Sequence, residues 1–271
     1  MTTTDNYLLG SDALELERLE HQARMLAPAT RTILRLAGIR PGMRVLDLGT
    51  GAGDVALEAA EMVGPTGSVI GIDQSAEALS WAARRIEAHN VHNISFLHDD
   101  LHTVPITGRF DAVIGRLVLL YTPDPAAVLR RYKTLLGPDG VIVAMEYEMT
   151  AAGSIPPTPL SERIVSWITE AFRRSGLDPS LGARLGQVTA DAGLDRAEVL
   201  GLQAYRAPND PSGARMAAAM IRTLLPVLER TGVATPAEVD LETLEQRIAG
   251  SLSDNDAIFK PPTLVGAWSR A

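Results

Sequence analysis

Apolar and polar residues in the first half of the chain repeat with two different periods. Short, mainly apolar runs at 45–48, 69–72 and 94–97 are typical of buried strands. The segments 54–63 and 76–89 place apolar residues three and four positions apart, which is typical of amphipathic helices. Strands that alternate with helices in this way predict βαβ units and a parallel sheet. Further strands are predicted at 110–114 and 141–146, with a helix at 125–136.

The pattern before the first strand predicts two N-terminal helices. Asp12 and Glu15 have the spacing of a capping box, and apolar residues then recur at helical intervals. Pro28 lacks a backbone N–H and is expected to interrupt this helix. A second helix is predicted to follow and to end near Gly38, a residue suited to a helix C-terminus.

After residue 150 the pattern is mainly helical. Strand-like segments return at 197–205 and 264–268, after each pair of predicted helices. We therefore interpret these helices as insertions that cover the sheet rather than as a separate domain. The helices are predicted at 161–175, 181–192, 214–230 and 236–252.

Composition and charge narrow the classes of function. The chain has 271 residues, 46% hydrophobic and 21% charged, which are ordinary values for a globular protein. It has no cysteine, which excludes disulfide scaffolds, cysteine-ligated zinc and thiol nucleophiles. A formal net charge of −8 makes nucleic acids and membrane surfaces unexpected as partners. Residues 1–10 lack the basic and apolar regions of a signal peptide, so a cytoplasmic location is expected.

The most informative segment is the glycine cluster after the first strand. Gly49, Gly51 and Gly53 allow the backbone to turn sharply and to approach a ligand closely. A dinucleotide fingerprint would place its third glycine at position 54, where this chain has Asp54, and no Gly-Lys-Ser/Thr follows as in a P-loop. Because Asp47 and Asp54 disfavour a phosphate here, the segment suits a ligand with a cationic or hydrogen-bond-donating end.

The ends of the next two predicted strands also carry acids. Asp73 ends the second strand, where a carboxylate can accept hydrogen bonds from both ribose hydroxyls. The third strand leads into Asp99, Asp100 and Leu101, which offer a carboxylate and a backbone N–H at a position where an adenine edge could bind. Three consecutive strand ends thus favour a nucleoside with a positively charged tail.

With these motifs, residues 40–148 resemble the class I S-adenosylmethionine-dependent methyltransferases, and most of all the small-molecule enzymes of ubiquinone and menaquinone biosynthesis. The resemblance implies an α/β fold, a Rossmann-like seven-stranded, mostly parallel sheet with N-terminal helices and helical cap insertions. It further implies a single domain over 1–271, in which 1–39 are N-terminal helices, 40–150 the cofactor-binding core and 151–271 the remaining strands with the cap. The motifs that carry the resemblance are 45–53, Asp73, Asp100, 110–115 and 135–143.

By this resemblance S-adenosylmethionine is the cofactor and S-adenosylhomocysteine its product. The glycine segment would pack against the methionine portion, the Leu101 N–H would meet the adenine, and the backbone at Arg116 would meet the amino-acid end. Of Asp99 and Asp100 we prefer Asp100, and no metal site is predicted. The implied cofactor residues are Asp47, Gly49, Thr50, Gly51, Gly53, Asp73, Gln74, Asp100, Leu101 and Arg116.

Methyl transfer is an in-line displacement from a sulfonium that is already a good leaving group, so alignment and desolvation supply much of the rate. A base is needed only where the acceptor is protonated. Glu146 and Glu148 fall on one side at the end of the fifth strand, and either is a candidate to orient or deprotonate the acceptor, Glu146 being preferred. The alternative is that these carboxylates cap the next loop or pair with Arg163. Tyr7 is a candidate to close over the cofactor, and His21 is a candidate base, the alternative being a histidine on a helix surface.

The apolar character of the insertions indicates a hydrophobic small-molecule acceptor, methylated on oxygen, carbon or nitrogen. Trp167, Met220, Tyr205 and Phe259 are the side chains that suggest it, although apolar stripes of this kind are usually core. Alternatives are a cyclase on the same fold, a non-catalytic S-adenosylmethionine-binding protein and a nicotinamide dehydrogenase. A homodimer is possible.

Overall fold

The computed structural model describes residues 13–194 and 196–270, and for 13–24 it describes the helix without the side chains. The chain divides into two compact units. Among the described residues, we call them the sheet unit, which is 13–146, 184–194, 196–200 and 265–270, and the helical unit, which is Tyr147–Ala183 and Gly201–Leu264. The helical unit thus consists of two long segments that alternate along the chain with parts of the sheet unit. Its role as a cap over the sheet stays a prediction.

The predicted Rossmann-like sheet is confirmed. Seven strands lie in the order β3-β2-β1-β4-β5-β9-β7, and the pairs among β1 to β5 are parallel. Two short antiparallel strands, β6 and β8, form a separate small sheet. The strands are β1 (Arg44–Leu48), β2 (Ser68–Asp73), β3 (Ile94–His98), β4 (Phe110–Arg116), β5 (Leu136–Glu148), β6 (Gly153–Ile155), β7 (Glu198–Leu202), β8 (Ile258–Lys260) and β9 (Thr263–Arg270).

Helices follow most of the parallel strands, and capping residues explain where several begin. Ser75 accepts a hydrogen bond from the Ala78 N–H, and Asp124 accepts one from the Ala127 N–H just before Pro125. The helices are α1 (Ala13–Leu36), α2 (Asp54–Val63), α3 (Ala76–Ala88), α4 (Pro125–Lys133), α5 (Pro159–Arg174), α6 (Leu181–Asp191), α7 (Pro211–Arg230), α8 (Pro236–Val239) and α9 (Leu241–Asp254).

The central strands are buried on both faces, as parallel strands usually are. Val45, Leu46, Val113, Ile114 and Val143 form the middle of the core of the sheet unit. This continuous burial explains why their sequence runs are apolar without alternation.

The prediction of two N-terminal helices is wrong for the described residues, because α1 continues through Pro28. Proline removes one backbone donor, but the residues after it are held by packing: Thr30, Ile33 and Leu34 are fully buried. The predicted helix at 236–252 is instead two helices, which meet at Asp240 with a φ of 47°. That left-handed conformation ends α8.

In the helical unit, α7 packs against α5 and α9. Trp167, Phe172, Ile221, Leu224 and Leu244 are buried there, so this unit has a core of its own. Among the described residues, no helix combines the length and the apolar character needed to cross a membrane.

Candidate functional site

The register of the sheet places three sequence motifs at one edge. Leu48 of β1 is paired with Ile72 of β2 on one side and with Gly115 of β4 on the other. The residues that follow these three positions therefore leave the sheet together, at the carboxyl edge where ligands bind in open α/β sheets.

Two positions of the loop between β1 and α2 require glycine. Gly49 has a φ of 62°, and a Cβ there would lie 2.4 Å from Cγ2 of Val118. Gly53 has a φ of 79°, and a Cβ there would lie 3.1 Å from Cβ of Ala82. Both combine a left-handed backbone with a close neighbour, so a side chain would be strained and crowded. At Gly51, by contrast, a Cβ would meet nothing within 4 Å, so the space beside it is open.

Asp73 is bonded to this loop. Its Oδ2 accepts a hydrogen bond from the Gly51 N–H at 2.8 Å, and its Oδ1 accepts one from the Ser75 N–H at 2.8 Å. Burial raises the pKa of Asp73, while these backbone N–H groups act in the opposite direction. The Gln74 N–H is a third backbone donor to this carboxylate, so at least one of its about four acceptor positions remains for a ligand. The side chain thus fixes the glycine loop and keeps acceptor capacity for a ligand hydroxyl.

Asp47 lies below the loop, only 1% exposed. Its Oδ2 accepts a hydrogen bond from the Thr50 hydroxyl at 2.7 Å. Burial raises its pKa to about 7, against the effect of that hydrogen bond and of the nearby Arg116, and Asp73 and Asp54 add to the rise. A cationic ligand beside Asp47 would favour its charged form.

The side chain of Arg116 contacts neighbouring helices and is not available to a ligand. It donates to the Thr30 hydroxyl of α1 at 2.9 Å and lies 4.0 Å from Asp54 of α2, with 8% of the side chain exposed. Arg85 of α3 forms an ion pair with Asp54 at 2.6 Å. The predicted contact of the Arg116 backbone with the cofactor is compatible with this placement and stays a prediction.

The end of β3 is held by backbone hydrogen bonds. Asp100 Oδ1 accepts from the His102 N–H at 2.8 Å, and Asp99 Oδ1 accepts from the Asp100 N–H at 2.7 Å. The Leu101 carbonyl accepts a hydrogen bond from the hydroxyl of the buried Tyr132 at 2.7 Å. The segment proposed to face an adenine is therefore anchored, and the preference for Asp100 over Asp99 stays a prediction.

Gln74 directly follows Asp73, and its side chain is exposed. Its carbonyl is 3.0 Å from Nε2 of His98. This contact links the ends of β2 and β3 on the side where the ribose is expected. Among the described residues, no group of three or more His, Cys, Asp or Glu is placed to hold a metal ion.

Glu146 is 1% exposed. Its Oε1 accepts hydrogen bonds from the N–H groups of Val118, at 2.9 Å, and Leu119, at 2.7 Å. Burial raises its pKa to about 8, although these backbone donors act to lower it. The arrangement matches the alternative stated above, a cap for a loop, and its direct role toward an acceptor stays a prediction.

Two other predicted catalytic residues cannot be placed. Tyr7 lies outside the described residues, and His21 belongs to α1 in the part where side chains are not described. Both remain predictions.

Sequence reasoning missed the residues that support the site from other elements. Val118 stands over Gly49, Tyr132 holds Leu101, and Thr30 receives Arg116. In the sequence each of these residues is an ordinary polar, aromatic or branched residue of a helix or loop. Nothing in the sequence around it indicates which distant residue it contacts.

Comparisons with known proteins find similarity to methyltransferases. Residues 39–170 match the sequence model of a family described as a methyltransferase domain. Nocamycin O-methyltransferase of Saccharothrix syringae is 36% identical over 136 residues, which are 50% of this chain and 46% of that protein. Demethylmenaquinone methyltransferase of Lactococcus lactis is 35% identical over 117 residues, which are 43% of this chain and 46% of that protein. The chain thus spans about half the length of these curated relatives.

Solved structures agree on the fold. A phosphoethanolamine N-methyltransferase of Haemonchus contortus, in complex with S-adenosylhomocysteine, superposes with a TM-score of 0.56 at 19% identity, over 90% of this chain and 52% of that chain. The cyclase SpnF superposes with a TM-score of 0.52 at 19% identity, over 90% of this chain and 80% of that chain. The fold therefore does not separate methylation from cyclisation. Residues 39–170, just under half of the chain, are thus similar in sequence to methyltransferase domains.

Proposed function

We propose that the protein transfers the methyl group of S-adenosylmethionine to a small, apolar organic acceptor. The observation that carries the proposal is the convergence of the glycine loop, Asp73 and the end of β3 at one edge of the sheet. The family match and the named relatives support the reaction type.

The described residues fit the cofactor. The open space beside Gly51 accepts a ligand without displacing a side chain, and the remaining acceptor capacity of Asp73 suits the ribose hydroxyls. Asp47 lies beside the loop, and a cationic group of the cofactor next to it would favour the charged form of this carboxyl, whereas a phosphate would oppose it.

The cofactor, when bound, supplies an electrophilic methyl group. The chain's contribution is to bind and align. Asp73 fixes the nucleoside end through its hydroxyls, and the loop from Gly49 to Gly53 fixes the methionine end by shape. Holding both ends limits the directions in which the methyl group can point, which favours the in-line approach of an acceptor.

The apolar character of the acceptor is the finer part of the proposal. The two relatives are named for an O-methylation and for a demethylmenaquinone. In the helical unit, Trp167 and Phe259 are buried, so they serve the core. Tyr205 is 60% exposed and Met220 is partly exposed, which leaves these two to contact an acceptor. Identification of the product will show whether the methyl group is transferred to oxygen, carbon or nitrogen.

The test begins with calorimetric titration of the purified chain with S-adenosylmethionine. It continues with turnover against quinones, polyketides and amines, followed by mass spectrometry. We expect micromolar cofactor binding and a product heavier by one methyl group, with release of S-adenosylhomocysteine. A product of unchanged mass would indicate a cyclase, and binding without turnover across the panel would indicate a non-catalytic protein. If the chain does not bind S-adenosylmethionine, the assignment of the cofactor is wrong, and a nicotinamide dehydrogenase becomes the better interpretation.

The proposal includes a cytoplasmic location, which cell fractionation tests. The sequence allows a monomer or a homodimer, and light scattering on the same preparation measures which of the two is present.

A further inference from the structure

The geometry points to Glu146 as a positioning residue that acts through segment 117–121: its buried side chain holds Val118 against Gly49 and so shapes the loop that receives the cofactor. This role differs from the acceptor-facing role expected from the sequence. It rests on the proposed function for its cofactor and turnover measurements, but not for the contact itself.

The first step of the argument is where Glu146 directs its oxygen. Oε1 accepts both the Val118 and the Leu119 N–H groups, which are the first donors of the 3₁₀ turn Leu119–Tyr121. The donors of a helical turn that lack partners within it must be satisfied by other groups when they are buried. Because Glu146 is 1% exposed, this oxygen is not available to an acceptor in solution.

The second step is the conformation of segment 117–121. Leu117 has a φ of 56°, which a residue with a γ-branched side chain rarely adopts. Its N–H donates to the Met145 carbonyl at 2.8 Å. Consecutive residues of β5, Met145 and Glu146, therefore hold three consecutive N–H groups of the segment, and these bonds keep an unfavourable backbone in place.

The third step is the contact with the glycine loop. The side chain of Val118 stands so close over Gly49 that a Cβ on Gly49 would lie 2.4 Å from its Cγ2. The same valine would lie 3.0 Å from a Cβ on Gly115 at the end of β4. Val118 thus touches the two strand ends that the family likeness assigns to the methionine portion of the cofactor. Loss of the bonds from Glu146 would release this valine.

The experiment compares four single variants and one double variant by calorimetric titration with S-adenosylhomocysteine and by amide hydrogen exchange. Glu146→Gln keeps a side-chain oxygen that accepts both N–H groups, so we expect the dissociation constant and kcat to stay within about threefold of the wild type. Glu146→Ala leaves both N–H groups without that acceptor. We expect faster exchange at Val118 and Leu119 and an affinity at least tenfold weaker.

Val118→Ala tests the second half of the mechanism while leaving the bonds of Glu146 in place. We expect it to weaken S-adenosylhomocysteine binding, and we expect its effect and that of Glu146→Ala to be non-additive in the double variant. Asp124→Ala, which removes a side-chain cap from α4 in the same unit, is the matched control for lost stability. It should leave the affinity unchanged.

Three results would overturn the inference. A fall in kcat of about a hundredfold in Glu146→Gln, with unchanged S-adenosylhomocysteine affinity, would make Glu146 a base. Unchanged exchange at Val118 and Leu119 in Glu146→Ala would remove the positioning contact. If Glu146→Ala does not fold, an unchanged affinity in Val118→Ala would remove the link to the cofactor. A wild-type chain that does not bind S-adenosylhomocysteine overturns the proposed function instead, because the exchange measurement needs no cofactor.

Discussion

At the scale of single residues, the acids of the sheet unit differ in what surrounds them. Asp73 is only partly buried and keeps acceptor capacity, whereas Asp47 and Glu146 are almost completely buried. Burial raises the pKa of each of these three carboxyls. The first residue is therefore suited to hydrogen bonding with a ligand, and the other two make folding sensitive to pH.

Asp73→Ala is expected to weaken S-adenosylhomocysteine binding by about 1.5 to 3 kcal/mol, roughly 10- to 150-fold, the range for hydrogen bonds to a charged group. Calorimetric titration measures the change. Asp111→Ala is the control, since Asp111 also accepts a backbone hydrogen bond, from the Arg44 N–H at 2.7 Å, at the N-terminal end of β4. Equal affinities for wild type and Asp73→Ala would contradict the ribose role.

Glu146 is also expected to make the free energy of unfolding depend on pH. Its pKa of about 8 in the folded chain lies above the value of 4.5 for a free side chain, so the carboxyl takes up a proton on folding between those pH values. This contribution to stability is complete below about pH 4.5. It is lost as the pH rises toward 8, by at most about 1.4 kcal/mol per pH unit.

Urea denaturation at pH 5, 6, 7 and 8 tests this expectation. The stability of the wild type should fall more steeply over that range than the stability of Glu146→Gln, which has no proton to lose. A slope remains in the variant because Asp47, whose pKa is raised to about 7, behaves in the same way. Parallel curves for the two proteins would show that Glu146 does not titrate in this window.

At the scale of elements, the strands and the motifs at their ends were predictable, and the links between elements were not. The runs at 45–48 and 69–72 lie within β1 and β2, because a strand buried on both faces needs a continuous apolar run. Glu146, by contrast, finds its partners 27 and 28 residues earlier in the chain, and no local pattern indicates them. The small sheet of β6 and β8 was missed because strands of three residues leave too little pattern.

Among the contacts between elements, those of Arg116 are expected to affect stability most clearly. It joins β4 to α1 through Thr30 and approaches Asp54 at the start of α2. Arg116→Met keeps most of the side-chain length but removes the donors. We expect the unfolding free energy to fall by about 1.5 to 3 kcal/mol, as for hydrogen bonds to a charged group, and amide exchange at 29–36 to accelerate.

Thermal unfolding together with hydrogen exchange measures both effects. Arg130→Met is the control, because Arg130 is a surface arginine of α4 that contacts the Asp191 carbonyl. An exchange rate at 29–36 that is the same in both variants would show that Arg116 does not hold α1.

At the scale of the whole molecule, we expect substitutions in the two units to have different effects, one on cofactor binding and the other on acceptor use. The predicted cofactor residues lie before residue 147, in the sheet unit, and the exposed apolar side chains proposed for the acceptor lie in the helical unit. A substitution in the helical unit should therefore alter acceptor use and leave cofactor binding as it is.

Tyr205→Ala tests this separation once an acceptor is found. Because Tyr205 is 60% exposed, its loss should not lower the melting temperature, and we expect the KM for the acceptor to rise about tenfold. The dissociation constant of S-adenosylhomocysteine should not change. A shift in the cofactor constant, with an unchanged KM for the acceptor, would contradict the assignment of Tyr205.

The position of β9 in the sheet bears on how the protein is synthesised. β9, Thr263–Arg270, is the last of the seven strands of this sheet to be synthesised, yet it lies between β5 and β7. Until it emerges, the backbone groups of β5 on that side have no strand to pair with, and an unpaired strand edge invites association with other chains. Nascent chains stalled before residue 263 should therefore depend on chaperones more than chains that include β9.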